Sequence, residues 1–255
     1  MNEFNFISTG KGVPLIFQHG MGANLSQPQT LLSELQGVNL ISMDSRGHGK
    51  TLLDDPLQIS FNQFADDVVH LVKSLKISRA IFGGISMGAG IALNISFRYP
   101  EFVKALVMVR PAWLDRPQEL PIYSGLIDLI RKNKGIAIAE TEEFKLLSQL
   151  EPKAVQAILG QLNREQAEHT ADIIDRMMAD QPIHELSQLK ELDIPVLILS
   201  SHQDFLHPFD FGLILSQYIP HAEFKEVPSR YVHNDLHKSA VTGLVQEFLI
   251  KHQLM

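Results

Sequence analysis

Ile81-Phe82-Gly83-Gly84-Ile85-Ser86-Met87-Gly88-Ala89-Gly90 is the stretch on which the reading of this chain turns. It contains Gly84-x-Ser86-x-Gly88, a pattern that chance supplies in roughly one chain of this length in ten. Its setting gives it weight. Arg79 to Ile85 predicts a buried strand, and Met87 to Arg98 predicts a helix that Tyr99-Pro100 ends, because the residue before proline disfavours helical angles. A serine in the turn between such a strand and helix projects its hydroxyl above the sheet. Gly84 and Gly88 carry no side chain, so strand and helix can approach closely. The start of the helix leaves the Met87 N–H free to face a developing oxyanion.

Outward from this stretch the same alternation continues. Val13–Gln18, Val38–Met43, Ala105–Val109, Pro195–Leu199 and Phe224–Val227 read as strands, and Ser239–Lys251 as a closing helix. Between Phe61 and Lys76, apolar residues fall at steps of three and four on one helical face. Strands alternating with helices predict an α/β fold with a mostly parallel sheet covered on both faces. Residues 112–192 differ: they are charged, helix-favouring and free of β-branched runs. They read as a helical lid inserted between two strands, leaving 1–111 and 193–255 as the core.

Composition narrows the function. The chain has 255 residues, a net charge of −7 and no cysteine. Disulfides and thiolate metal sites are excluded, and a reducing cytoplasm suits such a chain. The acidic balance argues against a nucleic-acid surface. No apolar run approaches the roughly 20 residues that span a bilayer, so no membrane partner is expected. His202, His207, His233 and His237 invite a metal reading, but no H-E-x-x-H pattern supports one, and neither metal nor cofactor is expected. Gly83-Gly84 opens no phosphate-binding motif. Arg110 and Trp113 follow the Ala105–Val109 strand where the lid begins. They read either as a structural ion pair and lid anchor, or as an anion contact and apolar wall for a substrate.

His19-Gly20-Met21-Gly22, Asp44-Ser45-Arg46-Gly47-His48-Gly49 and the serine turn together resemble the α/β-hydrolase superfamily, in particular its small-substrate esterase and lactonase-like branch. The resemblance covers nearly the whole chain outside the lid. It implies Ser86 as nucleophile, with the backbone N–H groups of Met21 and Met87 as oxyanion hole. It makes Asp204, four residues before Pro208, the acid, with Asp210 a rival that better suits entry into the next helix. It places the base at His233, fifteen residues before Phe248, with His237 as the alternative. The order serine, acid, histidine is that superfamily's. His19 and Arg46 are expected to hold loops. The expected reaction is hydrolysis of a small carboxylic ester or lactone through an acyl-enzyme. Carbon–carbon bond hydrolysis, cofactor-free peroxidation and a non-enzymatic small-ligand receptor are the alternatives.

Overall fold

The computed structural model describes residues 4–118, 127, 128, 130–132, 140–150, 160, 162, 164–204 and 206–255. Seven strands form one sheet: β1 (Phe6–Gly10), β2 (Val13–Gln18), β3 (Val38–Met43), β4 (Ala80–Ile85), β5 (Val103–Val109), β6 (Val196–Ser200) and β7 (Glu223–Glu226). Their spatial order is β1-β3-β2-β4-β5-β6-β7. Only β1 runs antiparallel, pairing Phe6 with Met43 through Gly10 with Asn39. The α/β expectation therefore holds, with one antiparallel edge strand added.

Burial explains which strands the sequence announces. Every residue of β4 is buried, as in a parallel strand covered on both faces. Every residue of β1 is exposed, so no apolar alternation marks it. Its pairing with β3 comes from the backbone ladder.

The helices are α1 (Ser26–Leu31), α2 (Phe61–Ser74), α3 (Met87–Arg98), α4 (Glu142–Leu150), α5 (Thr170–Met178), α6 (Phe209–Tyr218) and α7 (Asn234–Lys251). Ser60 caps α2, its Oγ accepting the Gln63 N–H at 3.1 Å. Phe61, Phe64, Val68 and Val72 then pack with Phe82, Ile91 and Ile95 in the core on one side of the sheet. The other side packs Phe17, Ile81 and Val107 against Val241, Val245 and Phe248 of α7. Between β5 and β6 the described residues are helical, 3-10 or irregular, with no strand.

Two boundaries matter for the site. The closing helix α7 starts at Asn234, five residues ahead of its expected start at Ser239, with Asp235 in its first turn, where a carboxylate favours the positive end of the helix dipole. His233 becomes its capping residue and His237 a helical one. Meanwhile β2 lies between β3 and β4, so the chain crosses over itself there. Ligands of open α/β sheets bind at such switch points, outside the carboxyl ends of the strands.

Candidate active site

The serine turn is built at that switch point. Ser86 adopts φ 55° and ψ −112°, a backbone conformation that L residues rarely occupy. Its N–H is held by the Val109 carbonyl at 3.0 Å. The flanking glycines are steric necessities. A Cβ on Gly84 would lie 2.3 Å from the Gly88 carbonyl carbon, and one on Gly88 would lie 2.3 Å from the Gln18 carbonyl oxygen. The amino end of α3 is therefore pressed against both β4 and the end of β2.

A cavity of about 280 Å³ opens above this turn. Ser86, Met21, Arg110 and Trp113 line it, together with His207, Arg230 and Tyr231. Among the described residues, the Ser86 hydroxyl takes part in no hydrogen bond to protein, and no loop or side-chain acceptor takes the N–H of Met21 or Met87. Met87, at the first position of α3, is fully buried, so only its backbone can serve the cavity.

The loop carrying Met21 is held from below. The Ser45 N–H donates to His19 Nε2 at 3.0 Å, so the protonated Nδ1 donates to the Gly20 carbonyl at 2.8 Å. Burial pushes His19 below the ordinary histidine value, which suits a neutral ring in this bridge. Gln27 Oε1 accepts the Gly20 N–H at 2.8 Å. Arg46 makes a two-pronged pair with Asp67, at 2.5 and 2.8 Å, which fixes the following loop.

Opposite Ser86, Asp204 lies fully inside the protein. Its Oδ2 meets Arg110 Nη1 at 3.1 Å, with the two side chains 1% and 3% exposed. Its Oδ1 accepts the N–H groups of Leu206 and His207 at 3.1 and 3.2 Å, and the His207 ring nitrogen Nδ1 at 2.8 Å. Burial acts to raise this carboxyl, but the His207 bond and the neighbouring positive charges bring it down to about 2. Burial pushes His207 below the ordinary histidine value, against the pull of Asp204. The result is a carboxylate–imidazole pair facing the same cavity as the serine.

The structure thus brings Ser86, Met21, Met87, Asp204, Arg110 and Trp113 to one place, and His207 with them. It does not bring His233. That side chain is exposed, caps α7 and lines no part of the cavity. The early start of α7 turns it outward. His237 is buried on α7, with Nδ1 at 2.7 Å from the Pro228 carbonyl, and burial lowers it to about 4. His207 was legible in principle. An aspartate whose carboxylate accepts N–H groups two and three residues on forms a tight turn, and this folds the third side chain back onto it.

Trp113 is 2% exposed; its Nε1 donates to the Met177 carbonyl at 3.1 Å, and its ring stands edge-on to Phe61. It both ties to Met177 of α5 and lines the cavity. The four histidines disperse: His202 pairs with Glu226 and stacks on Phe209. Among the described residues no three His, Asp or Glu side chains gather as a metal site, and no helix is long and apolar enough to cross a membrane. Asp210 lies in the first turn of α6.

Comparison with known proteins bears on the fold and family. Residues 13–238 match the α/β hydrolase fold family. A 3-oxoadipate enol-lactonase of Acinetobacter baylyi is 26% identical over 226 residues, covering 86% of this chain and 82% of that protein. Lipase 1 of Psychrobacter immobilis is 25% identical over 224 residues, covering 83% and 68%. Among solved structures, an enol-lactonase from Burkholderia xenovorans superposes with a TM-score of 0.75 at 22% identity, covering 98% and 97%. A thermophilic esterase from Thermogutta terrifontis superposes with a TM-score of 0.78 at 22% identity, covering 98% and 94%. With the serine turn at the switch point and a family match across most of its length, the chain belongs to the α/β-hydrolase family.

Proposed function

We propose that the protein is a serine hydrolase that cleaves a small carboxylic ester or lactone through an acyl-enzyme. One observation carries this reading: Ser86, held at φ 55°, opens into the same cavity as an imidazole bonded to a buried carboxylate. The relative named 3-oxoadipate enol-lactonase supports the choice of ester-type carbonyls.

The base in this reading is His207, in place of His233. His207 Nε2 takes the Ser86 proton as Oγ attacks the carbonyl carbon. Asp204 accepts the hydrogen bond from Nδ1–H and stabilises the imidazolium. The negative oxygen of the tetrahedral adduct is met by the Met21 and Met87 N–H groups; losing one such donor typically costs about 10²–10³ in rate. The imidazolium then protonates the departing alkoxide, leaving an acyl group on Ser86. Water gives a proton to the same ring and attacks the acyl carbon. Collapse of that adduct releases the carboxylic acid and returns the proton to Ser86. Ala112, Trp113, Gln118, Gly160 and Met178, from the segment between β5 and β6, line the cavity, which supports a substrate-covering role for them.

Kinetics on p-nitrophenyl butyrate test the assignment. His207→Ala is expected to lower kcat/KM by about 10²–10⁴, the usual contribution of a general base. His233→Ala is expected to cost far less. The reverse order would return the base to His233.

A further inference from the structure

The cavity beside Ser86 carries charge that ester cleavage does not require. Arg110 and Arg230 line it, and its described lining residues include no aspartate or glutamate. A second cavity of about 250 Å³ adjoins it, because Gln27, Ile85, Arg110 and Arg230 line both. That cavity adds Lys238 and, again, no carboxylate. This concentration of cations stands in a chain whose net charge is −7.

Most of these charges are answered. Lys238 Nζ lies 3.4 Å from Glu34, and Arg110 is paired with Asp204. Arg230 is exposed, and Asp204 acts on it only at a distance. Its guanidinium lies 5.2 Å from the centre of the Tyr231 ring, and among the described residues no carboxylate pairs with it. Arg110, by contrast, is 3% exposed and committed to Asp204. Arg110 is set by its backbone, at φ 51° directly after β5, with its N–H on the Leu199 carbonyl at 2.7 Å. Asp204 pairs directly with Arg110 alone, which leaves the Arg230 fork at the wall shared by the two cavities open to a further anion. A planar guanidinium fork matches a carboxylate in two-point geometry.

We propose that Arg230 binds a carboxylate carried by the substrate, so that the preferred esters or lactones are anionic ones. This rests on the reading of Ser86 as the nucleophile of an ester hydrolase. The carboxylate lies toward the second cavity, and the scissile carbonyl lies over Ser86.

Paired substrates test it. p-Nitrophenyl hemiglutarate and p-nitrophenyl pentanoate share leaving group and chain length and differ in one carboxylate. The wild-type protein is expected to favour the hemiglutarate in kcat/KM by roughly tenfold or more, the worth of a charge-assisted hydrogen bond. Arg230→Gln is expected to erase that preference, and Arg230→Lys to retain part of it. Cleavage of both esters with equal efficiency, or a preference that survives Arg230→Gln, would overturn the anion site and leave the hydrolase reading standing. Binding is read separately by calorimetry on Ser86→Ala protein, with monomethyl glutarate against dimethyl glutarate. Roughly tenfold tighter binding of the monoanion, lost in the Arg230→Gln double variant, supports the anion site even if no ester is turned over. Equal binding of the two overturns it.

Discussion

The two walls of the cavity are built on different principles. The wall from β2 and β4 is made of backbone. Gly84 and Gly88 let strand and helix touch, Ser86 holds a rare conformation, and the proposed oxyanion donors are main-chain N–H groups. The wall from the loops after β5, β6 and β7 is made of side chains. Arg110, Asp204, His207, Arg230 and Tyr231 come from three loops and meet through charge and hydrogen bonds. Backbone constraints leave their mark in a short run of sequence. A charge cluster assembled across about 120 residues leaves none until the loops are placed. In the proposed mechanism the first wall holds the nucleophile, and the second holds both the imidazole–carboxylate pair and the proposed anion contact.

Substitutions that break one wall at a time sharpen this contrast. The largest effect is expected from Asp204→Asn, which removes the negative charge behind the imidazole. A fall in kcat of about 10⁴ is expected, the scale seen when such an aspartate is neutralised. The same change leaves Arg110 buried without its counter-charge, and breaking a buried pair costs about 3–5 kcal/mol. Chemical denaturation alongside kinetics separates the two losses. Next comes Gly88→Ala. Its Cβ would meet the Gln18 carbonyl, which is backbone and has little freedom to move. A cost of about 3 kcal/mol is expected for such overpacking, or a fall of about 6–12 °C in Tm at this chain length. An unchanged Tm would mean that the close contact between α3 and β2 is absent.

The pH profile should show a smaller but diagnostic effect. His207 acts as a base only when neutral, and burial lowers its value from the ordinary 6.5. Activity should therefore rise with pH through a midpoint below 6.5 and be flat near neutrality. A midpoint at or above that value would contradict a buried base. The smallest effect is expected from Trp113→Phe. It keeps the ring but loses the bond to the Met177 carbonyl, for about 1 kcal/mol and a few degrees in Tm.

The sequence carried the sheet well and the second wall poorly, for physical reasons. Buried parallel strands such as Ala80–Ile85 are continuous apolar runs and stand out; β1, exposed at the sheet edge, has no such pattern. Helix α6 is apolar around much of its surface, from Phe209 and Phe211 to Leu215, so its period is blurred. The serine turn was legible because its glycines are obligatory. The place of Asp204 after β6 points to it as the acid, and the structure shows it buried and bonded to His207. His207 carries no periodic or spacing signal, because it meets Asp204 through a local turn, whereas the spacing to Phe248 points to His233. The extra turns at the start of α7 moved His233 to the surface. Arg230 had no local signal, since its significance depends on which carboxylates do not reach it.

The most direct test of the account is the rate at which a fluorophosphonate labels the protein, read by peptide mass spectrometry in the wild type and in the His207→Ala and His233→Ala variants. The account predicts a single adduct on Ser86, slowed by about 10² or more when His207 is removed and little changed when His233 is removed. Absence of an adduct on Ser86, or a rate that depends on His233 and not on His207, would contradict it.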